Sequence, residues 1–200
     1  MIVAIIGIET RFGRNMGNFR VLDALATVAF DYPRRASYFQ QELAAFLLLA
    51  QEERRDPTQF KGSYAGAMGW GQFMPSSYRD YAVDGDGDGR VDLFNDLDDV
   101  FASVANYFAK KGKWERGGPV MQQALRDASA TDFVNPGNAV TLDQTLASLA
   151  AAGYRPAAAP LATGKPVTLI TLEGVEGPEY WIVYNNFKAI TTYNISRLYA

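Results

Sequence analysis

Two stretches with helical periodicity constrain the fold of this chain more than any other feature. They span residues 37–54 and 97–111, and in each the apolar residues recur every third or fourth position, which places them on one face of a helix. Two shorter apolar segments, residues 2–12 and 22–30, also have the length and end signals of helices. The first half of the chain is therefore predicted to be mainly α-helical.

The last third of the chain has a weaker, mixed pattern. The sequence Thr141-Leu-Asp-Gln144 is typical of a capping box and predicts the start of a short helix. Short runs rich in β-branched and aromatic residues then predict three strands, at residues 167–172, 180–184 and 189–193. We therefore expect a mainly α chain with a smaller β part, an α+β fold.

The absence of two residue types narrows the chemistry that the chain can perform. Its 200 residues include no cysteine and no histidine, which excludes disulfides, thiolate metal sites and catalysis by Ser-His or Cys-His pairs. Acid–base chemistry must then fall to carboxylates, tyrosines or lysines. The formal net charge of −3 and the lack of a basic run argue against a nucleic-acid partner.

The apolar segments of the chain are too short to span a membrane. The apolar residues 1–8 have no basic leader and no small-residue cleavage site, so we interpret them as part of a buried helix rather than as a signal peptide. We expect no membrane-spanning segment in this chain.

Residues 84–92 form an aspartate-rich loop that matches the first nine positions of an EF-hand calcium loop. Asp84, Asp86 and Asp88 occupy positions 1, 3 and 5, where carboxylates converge on one cation. Gly89 stands at position 6 and permits the sharp turn that such a loop needs. Calcium prefers hard oxygen ligands of this kind, and we predict a structural calcium ion here.

The second half of this loop departs from the standard pattern. Arg90 would offer its backbone carbonyl, but position 12 is Asn95 instead of a bidentate glutamate. Asp98, slightly further along, is the natural substitute. The alternative is a solvated acidic turn without an ion, which the mutual repulsion of the aspartates disfavours.

Glu9 lies near the end of an almost entirely apolar predicted helix. A carboxylate that is buried there would tend to stay protonated, as a general acid requires. The alternative is an exposed ion pair with Arg11 or Arg14, and this segment alone favours that alternative.

Residues 61–78 combine glycine, aromatic and small polar residues without a clear period. Aromatic faces stack on sugar rings, amides and hydroxyls bind sugar hydroxyls, and glycines let the backbone approach a ligand closely. The segment is therefore a candidate sugar-binding loop, and a packed aromatic loop with glycine turns is the alternative. Its candidate contacts are Ser63, Tyr64, Trp70, Gln72, Phe73, Ser76 and Tyr78.

Several long motifs occur in a fixed order along the chain. They are Ile8-Glu9-Thr10-Arg11-Phe12-Gly13, the segments 23–35 and 62–78, the aspartate loop, Ser103-Val-Ala-Asn-Tyr-Phe108 and Gly177-Pro-Glu-Tyr-Trp181. Together they resemble the membrane-bound lytic transglycosylase B family, over almost the whole chain. The family's catalytic glutamate matches Glu9, and this favours the functional interpretation of Glu9 over the surface ion pair.

The resemblance implies a lysozyme-like helical core with an EF-hand-like calcium loop and a small antiparallel β subdomain. The catalytic core would comprise residues 1–134, with the calcium loop at 84–98. A small α/β subdomain would comprise residues 135–178, and a C-terminal segment, residues 179–200, would return to the catalytic cleft.

The resemblance also implies a reaction. Members of the family cleave the β-1,4 bond between N-acetylmuramic acid and N-acetylglucosamine in peptidoglycan without water, and they leave a 1,6-anhydro end on the muramic acid. Glu9 would act first as the acid and then as the base. The substrate supplies its own nucleophile, the C6 hydroxyl, so one carboxylate suffices where ordinary glycosidases need two.

Further roles follow from the same resemblance. Ser63 and Gln72 match residues that contact the substrate near the cut, Arg34 and Arg35 match an arginine pair that lines the groove, and Tyr193 would reach the same cleft. The calcium ligands would be Asp84, Asp86, Asp88, Asp98 and the carbonyl of Arg90. We expect a monomer that binds peptidoglycan glycan strands in the bacterial periplasm or cell envelope.

Two alternatives to this function stay open. One is a muramidase that hydrolyses the same bond with water, which would need a second carboxylate across the cleft. The other is a non-catalytic module that binds glycans or calcium, and the presence of both Glu9 and Gln72 argues against it.

Overall fold

The computed structural model describes residues 1–200. They form two compact units, Met1–Tyr107 and Phe108–Ala200. The first unit is mainly helical, and the second contains a four-stranded sheet. None of the helices is both long and apolar enough to cross a lipid bilayer.

The helices that the sequence predicts in the first half of the chain are confirmed, with ends that differ by at most two residues. A fifth helix, α4 (Pro75–Tyr81), begins inside the segment 61–78, which we interpreted as a loop, and extends three residues beyond it. Two short strands pair antiparallel, and Phe19 faces Gly62 in their register. The elements are α1 Ile2–Thr10, β1 Phe19–Arg20, α2 Val21–Asp31, α3 Ala36–Glu52, β2 Lys61–Gly62, α4 Pro75–Tyr81 and α5 Leu97–Lys110, with short 3-10 helices at Pro33–Arg35 and Pro57–Gln59.

The core of the first unit forms where α2 and α3 pack together. From α3 it contains Phe39, Phe46 and Leu49, which are at most 5% exposed, and burial of each such side chain contributes about 1.5–3 kcal/mol. Leu47 also belongs to the apolar pattern of this helix, but it is 47% exposed. It follows the fully buried Phe46 by one position, which turns it about 100° away from the core.

Helix α3 also carries a buried carboxylate, Glu42, which is 4% exposed. Its two oxygens accept hydrogen bonds from the N–H of Ser76 at 2.9 Å and from the Ser76 hydroxyl at 2.7 Å. Ser76 lies in the first turn of α4, where backbone N–H groups have no partner within the helix. Glu42 therefore fixes the start of α4 against α3.

The segment 61–78, here called the glycine-aromatic loop, folds into a series of tight turns and then enters α4 at Pro75. Backbone hydrogen bonds join Ser63 to Ala67 at 2.8 Å and join Met68 to Phe73 in both directions at 2.8 and 2.9 Å. Gly66 has a φ of +89°, and a Cβ there would lie 2.4 Å from the side chain of Leu25. Only glycine fits this turn, which brings the loop onto α2.

The second unit is built on an antiparallel sheet of strand order β4-β3-β6-β5. Strands β5 and β6 form a hairpin that closes between Gly174 and Gly177. Its core includes Tyr154, Leu169 and Ile182. The elements are β3 Met121–Arg126, α6 Leu146–Ala151, β4 Tyr154–Pro156, β5 Thr168–Gly174, β6 Gly177–Val183 and α7 Asn185–Tyr193.

Two sequence-based predictions in this unit need correction. The segment 189–193 is part of helix α7 and not a strand, because Phe187 and Ile190 recur at helical spacing and are both buried. The short helix α6 starts at Leu146, and its capping box joins Thr145 to Ser148 instead of using Thr141. The strands predicted at 167–172 and 180–184 are confirmed with shifted ends.

Strand β3 was not predicted. It lies within the range assigned to the helical core, 1–134, yet it pairs with β4 and β6 of the second unit. Its sequence includes Gln122, a polar residue at a buried position, which interrupts the alternation of apolar and polar residues that indicates a strand. Gln122 is nevertheless buried, and its side-chain oxygen accepts hydrogen bonds from the hydroxyl of Tyr184 at 2.5 Å and from the N–H of Leu161 at 2.9 Å.

Candidate active site

Glu9 occupies the last turn of α1 and is half-buried. The chain turns sharply after this helix, because Arg11, Phe12 and Gly13 all have left-handed backbone angles, with φ of 51°, 59° and 75°. Such angles are unfavourable for Arg11 and Phe12, and non-glycine residues in this region cluster at functional sites. The turn thus marks the neighbourhood of Glu9 as a candidate site.

Thr10, the residue after Glu9, connects this turn to the glycine-aromatic loop. It is fully buried, and its hydroxyl oxygen lies 3.0 Å from the carbonyl oxygen of Trp70 and 3.2 Å from that of Ile6. The same oxygen accepts a hydrogen bond from the N–H of Gly13 at 3.0 Å. The helix end that carries Glu9 is therefore held directly against the Trp70 backbone.

Trp70 makes structural contacts on several sides. Its indole N–H donates to the carbonyl of Phe94 at 3.0 Å, and its backbone N–H donates to that of Leu93 at 2.9 Å. Its ring covers Gly13, where a Cβ would come within 2.4 Å of the indole. The half-buried Trp70 thus fixes the loop and the helix-end turn to each other, and its predicted contact with sugar stays a prediction.

Gln72 has a left-handed backbone with φ of 51°. Its side-chain amide donates hydrogen bonds to the carbonyls of Met16 at 3.1 Å and Gly69 at 3.0 Å. These bonds fix the amide next to the segment that follows α1. The side-chain oxygen is then oriented as an acceptor, which suits its predicted contact with a sugar hydroxyl.

Ser63 and Tyr64 differ in what they offer to a ligand. The Ser63 hydroxyl oxygen accepts hydrogen bonds from the N–H groups of Ala67 at 3.0 Å and Ala65 at 3.3 Å, so it holds the loop turn. Tyr64 is 72% exposed and presents an open aromatic face. Tyr64 is therefore the aromatic residue of the loop that is most available for stacking on a ligand.

Phe73 and Tyr78 belong to the buried core, and their predicted contact with sugar stays a prediction. Each is 3% exposed. The ring of Phe73 packs edge-on against Tyr107 with centroids 5.8 Å apart, and the Tyr78 hydroxyl donates to the carbonyl of Val91 at 2.9 Å. The sequence marks both as aromatic residues of a loop but does not indicate which aromatic side chains point inward.

Arg34 and Arg35 lie in the short 3-10 helix between α2 and α3, and both are exposed. The Arg35 guanidinium lies 4.5 Å from the centroid of the Tyr38 ring, a cation–π contact. Burial raises the pKa of the Tyr38 hydroxyl, and the negative charge of Glu42 raises it further. Both guanidinium groups are accessible to an anionic ligand, and their predicted position in the substrate groove stays a prediction.

Tyr193 is the last residue of α7 in the second unit. Its half-buried ring stacks on that of Phe108, with centroids 5.5 Å apart and an interplanar angle of 19°. Its predicted contact with the substrate stays a prediction.

The aspartate loop at 84–92 folds around its own carboxylates. Asp84 accepts hydrogen bonds from the N–H groups of Gly87 at 2.6 Å and Gly89 at 2.8 Å, and these bonds lower the pKa of its carboxyl. Asp88 accepts from the N–H of Arg90 at 2.8 Å. The hydrogen bond from the Asp88 N–H lowers the pKa of Asp86, but partial desolvation and the charges of Asp88 and Asp96 outweigh it, so this pKa is raised.

A further carboxylate joins this loop from α5. Asp99 is 2% exposed, and oxygens of Asp84, Asp86 and Asp99 lie within 4.8 Å of one another. Two calcium ligands at 2.3–2.6 Å are at most about 5 Å apart, so the cluster fits an ion of that size. The sequence singled out Asp98 instead, which is exposed; the helical spacing of Asp99 with the buried Ser103 could have revealed the inward position of Asp99.

Both carboxylate oxygens of the buried Asp99 accept hydrogen bonds from the backbone of the loop. One accepts the N–H of Gly85 and the other the N–H of Asp92, each at 2.6 Å. These bonds tie both ends of the loop to α5. Asp99 is therefore placed to hold the loop, while the exposed Asp98 keeps its carboxylate available as a ligand.

Three known proteins resemble the chain over nearly its whole length. It is 48% identical over 200 residues to membrane-bound lytic murein transglycosylase B of Escherichia coli (strain K12), which is 100% of this chain and 53% of that protein. The structure of E. coli lytic transglycosylase Slt35 in complex with calcium has a TM-score of 0.86 and 47% identity, over 99% of this chain and 61% of that one. The structure of Pseudomonas aeruginosa SltB3 in complex with NAG-anhNAM-pentapeptide has a TM-score of 0.82 and 34% identity, over 99% of this chain and 52% of that one.

The chain thus spans about half the length of the murein transglycosylase that it resembles. The family comparison, in contrast, covers all of it, since residues 1–200 match the transglycosylase SLT domain. The helical fold, the motif order and these matches agree, and the chain belongs to the transglycosylase SLT domain family.

Proposed function

We propose that this chain is the catalytic part of a lytic transglycosylase that acts on peptidoglycan. It cleaves the β-1,4 bond between N-acetylmuramic acid and N-acetylglucosamine and leaves a 1,6-anhydro end. The observation that carries the proposal is the position of Glu9, half-buried at a helix end that Thr10 holds against Trp70 of the glycine-aromatic loop. The similarity to SltB3, whose structure was solved in complex with NAG-anhNAM-pentapeptide, supports a reaction that forms an anhydro sugar.

A second observation favours chemistry with a single carboxylate. Glu9 is the only acidic residue among residues 1–22, and the glycine-aromatic loop contains none. A hydrolytic glycosidase needs a second carboxylate to activate water or to attack the sugar. A mechanism in which the substrate provides the nucleophile does not.

The proposed reaction has two proton transfers, and Glu9 performs both. Protonated Glu9 donates its proton to the glycosidic oxygen while the bond from C1 of the muramic acid to that oxygen breaks. The Glu9 carboxylate then takes the proton of the C6 hydroxyl, and O6 forms a bond to C1. No water is consumed, and Glu9 returns to its protonated form.

The other contacts in the proposal follow from position. Gln72 would bind a hydroxyl or amide of the sugar beside the cut, Tyr64 would stack on a ring, and Arg34 and Arg35 would pair with carboxylates of the peptide stem. The roles of Ser63, Trp70 and Tyr193 as contacts, the envelope location and the monomeric state are carried forward as predictions.

Calcium belongs to the proposal as a structural ion. Asp84, Asp86, Asp88, Asp98 and the carbonyl of Arg90 are the predicted ligands, and Asp99 lies in the same cluster. The ion would neutralise carboxylates that repel one another. The loop would then hold the first turn of α5 in place.

The test of the proposed function is the variant Glu9→Gln, assayed on purified peptidoglycan. We expect it to release no soluble muropeptides above background and to melt within a few degrees of the wild type, because glutamine keeps the shape of the side chain without its proton. Asp31→Asn, which changes an exposed carboxylate at the end of α2, is the matched control and should keep full activity. Normal activity in Glu9→Gln would overturn the assignment.

A further inference from the structure

We propose that Thr10 is a positioning residue that sets the location of the Glu9 carboxyl relative to the glycine-aromatic loop. The inference rests on the proposed function of Glu9. Thr10 does not act on the substrate itself; it acts through the backbone of the helix end that carries Glu9.

The Thr10 hydroxyl joins three backbone groups from two parts of the first unit. Its oxygen lies 3.0 Å from the Trp70 carbonyl oxygen, 3.2 Å from the Ile6 carbonyl oxygen and 3.0 Å from the N–H of Gly13. Trp70 is 60 positions away in sequence. Backbone bonds from Arg11 and Phe12 also close the end of α1, but the Thr10 hydroxyl adds the bond that attaches it to the loop.

The last turn of a helix frays unless something holds it, because its final carbonyls have no partner within the helix. Glu9 lies in that turn, so movement there would move its carboxyl directly. The residues that follow have left-handed backbone angles, and such angles persist only where the surrounding structure holds them. The bond from the Gly13 N–H to Thr10 fixes this turn.

Trp70 also packs against this turn through its side chain. The indole ring covers Gly13, and its N–H is held by the carbonyl of Phe94. Trp70 thus meets the helix-end turn twice, once through its carbonyl at Thr10 and once through its ring at Gly13. Because the carbonyl and the ring belong to one residue, loss of the Thr10 bond would loosen both contacts.

The experiment compares Thr10→Val with Thr10→Ser in the full chain, on a soluble oligomer of alternating N-acetylglucosamine and N-acetylmuramic acid. Valine keeps the shape of threonine without its hydroxyl, whereas serine keeps the hydroxyl. We expect kcat to fall at least tenfold in Thr10→Val with KM within twofold, and to stay within threefold of the wild type in Thr10→Ser. The pH profile of kcat should also shift in Thr10→Val, because the Glu9 carboxyl would titrate in a different environment.

A matched control separates positioning from simple loss of stability. Ile5→Val removes one methyl group from a buried side chain of the same helix and leaves every hydrogen bond of Thr10 in place. It should lower the melting temperature but keep kcat and the pH profile. If Thr10→Val melts below the assay temperature, Thr10→Ala replaces it, with the same expectation.

Three results would overturn the inference. They are a kcat within twofold of the wild type in the folded valine or alanine variant, an equal loss in Ile5→Val, or an equal loss in Thr10→Ser. Failure of the proposed function has a different signature, since Glu9→Gln would then keep its activity. An inactive Glu9→Gln with an unaffected Thr10→Val would contradict only the inference about Thr10.

Discussion

Among single residues, the turn after Glu9 depends on Gly13, because a glycine has no Cβ atom. Gly13 has a φ of +75°, and a Cβ there would overlap the indole of Trp70 at 2.4 Å. Gly117 has nearly the same angle, φ of +72°, but nothing lies within 4 Å of its Cβ position. A substitution of Gly117 therefore introduces backbone strain alone, whereas the same substitution of Gly13 introduces both backbone strain and steric overlap.

We predict that Gly13→Ala destabilises the protein more than Gly117→Ala. The alanine at residue 117 has only the strained angle, which costs about 1–2 kcal/mol. At residue 13 the overlap with Trp70 adds about 1–3 kcal/mol and displaces the helix end that carries Glu9, so activity should fall as well. Thermal melts and a turnover assay of the two variants test this; equal melting temperatures would contradict the packing described for Trp70.

A second residue-scale prediction concerns the pH dependence of stability. Burial raises the pKa of Glu53 above its ordinary value of 4.5, and its contacts with Tyr78 and Arg55 do not compensate fully. The folded state then disfavours the ionised form, so stability is lost as pH rises from about 4.5 through the raised pKa.

Glu53→Gln removes this ionisation. We predict that the variant is slightly more stable than the wild type at pH 7, by less than about 1 kcal/mol because the group is half-exposed. The difference in stability between the variant and the wild type should vanish near pH 4, where Glu53 is uncharged like the glutamine that replaces it. Melts across this pH range test the sign, and a less stable variant at pH 7 would show that the contact with Arg55 dominates.

At the scale of elements, the aspartate loop and α5 form one structural feature. Asp99 holds both ends of the loop through its two hydrogen bonds at 2.6 Å, and Asp98 stays exposed beside it. The two neighbouring carboxylates should thus have different roles. One supports the loop whether or not calcium is bound, and the other responds to calcium.

We predict that calcium raises the melting temperature of the wild type and that a chelator reverses the rise. A free concentration 100-fold above the dissociation constant would stabilise the fold by about 2.7 kcal/mol. Asp98→Asn should reduce this shift with little effect in chelator. Asp99→Asn should lose about 1–3 kcal/mol even in chelator, because one buried N–H loses its acceptor. A full calcium shift in Asp98→Asn would remove Asp98 from the ligand set.

The same elements show what the sequence can and cannot predict. Helices α3 and α5 follow from apolar periodicity, because each buries one face, whereas α1 and α2 follow from apolar length and end signals. Helix α7 was predicted as a strand at 189–193, since Thr191 and Thr192 favour strands locally while the burial of Phe187 and Ile190 decides the outcome. The inward position of Phe73 and the bonds of Thr10 depend on residues distant in sequence, and no local pattern reveals them.

In the whole molecule, the chain contains two compact units, Met1–Tyr107 and Phe108–Ala200. The proposed acid, Glu9, and the glycine-aromatic loop both lie in the first unit, as does the aspartate loop. The motifs that carry the family resemblance extend through both units. The proposed reaction therefore depends on residues from the first unit, with Tyr193 as the predicted contribution of the second.

We propose that this chain breaks the glycosidic bond without water. Digestion of peptidoglycan in water enriched in ¹⁸O shows directly whether water takes part in the reaction. Mass spectrometry of the released muropeptides reports both the end group and the origin of its oxygen. We expect products whose mass is lower than that of the reducing forms by one water molecule and that carry no ¹⁸O. Reducing ends labelled with ¹⁸O would contradict it and would identify a hydrolase.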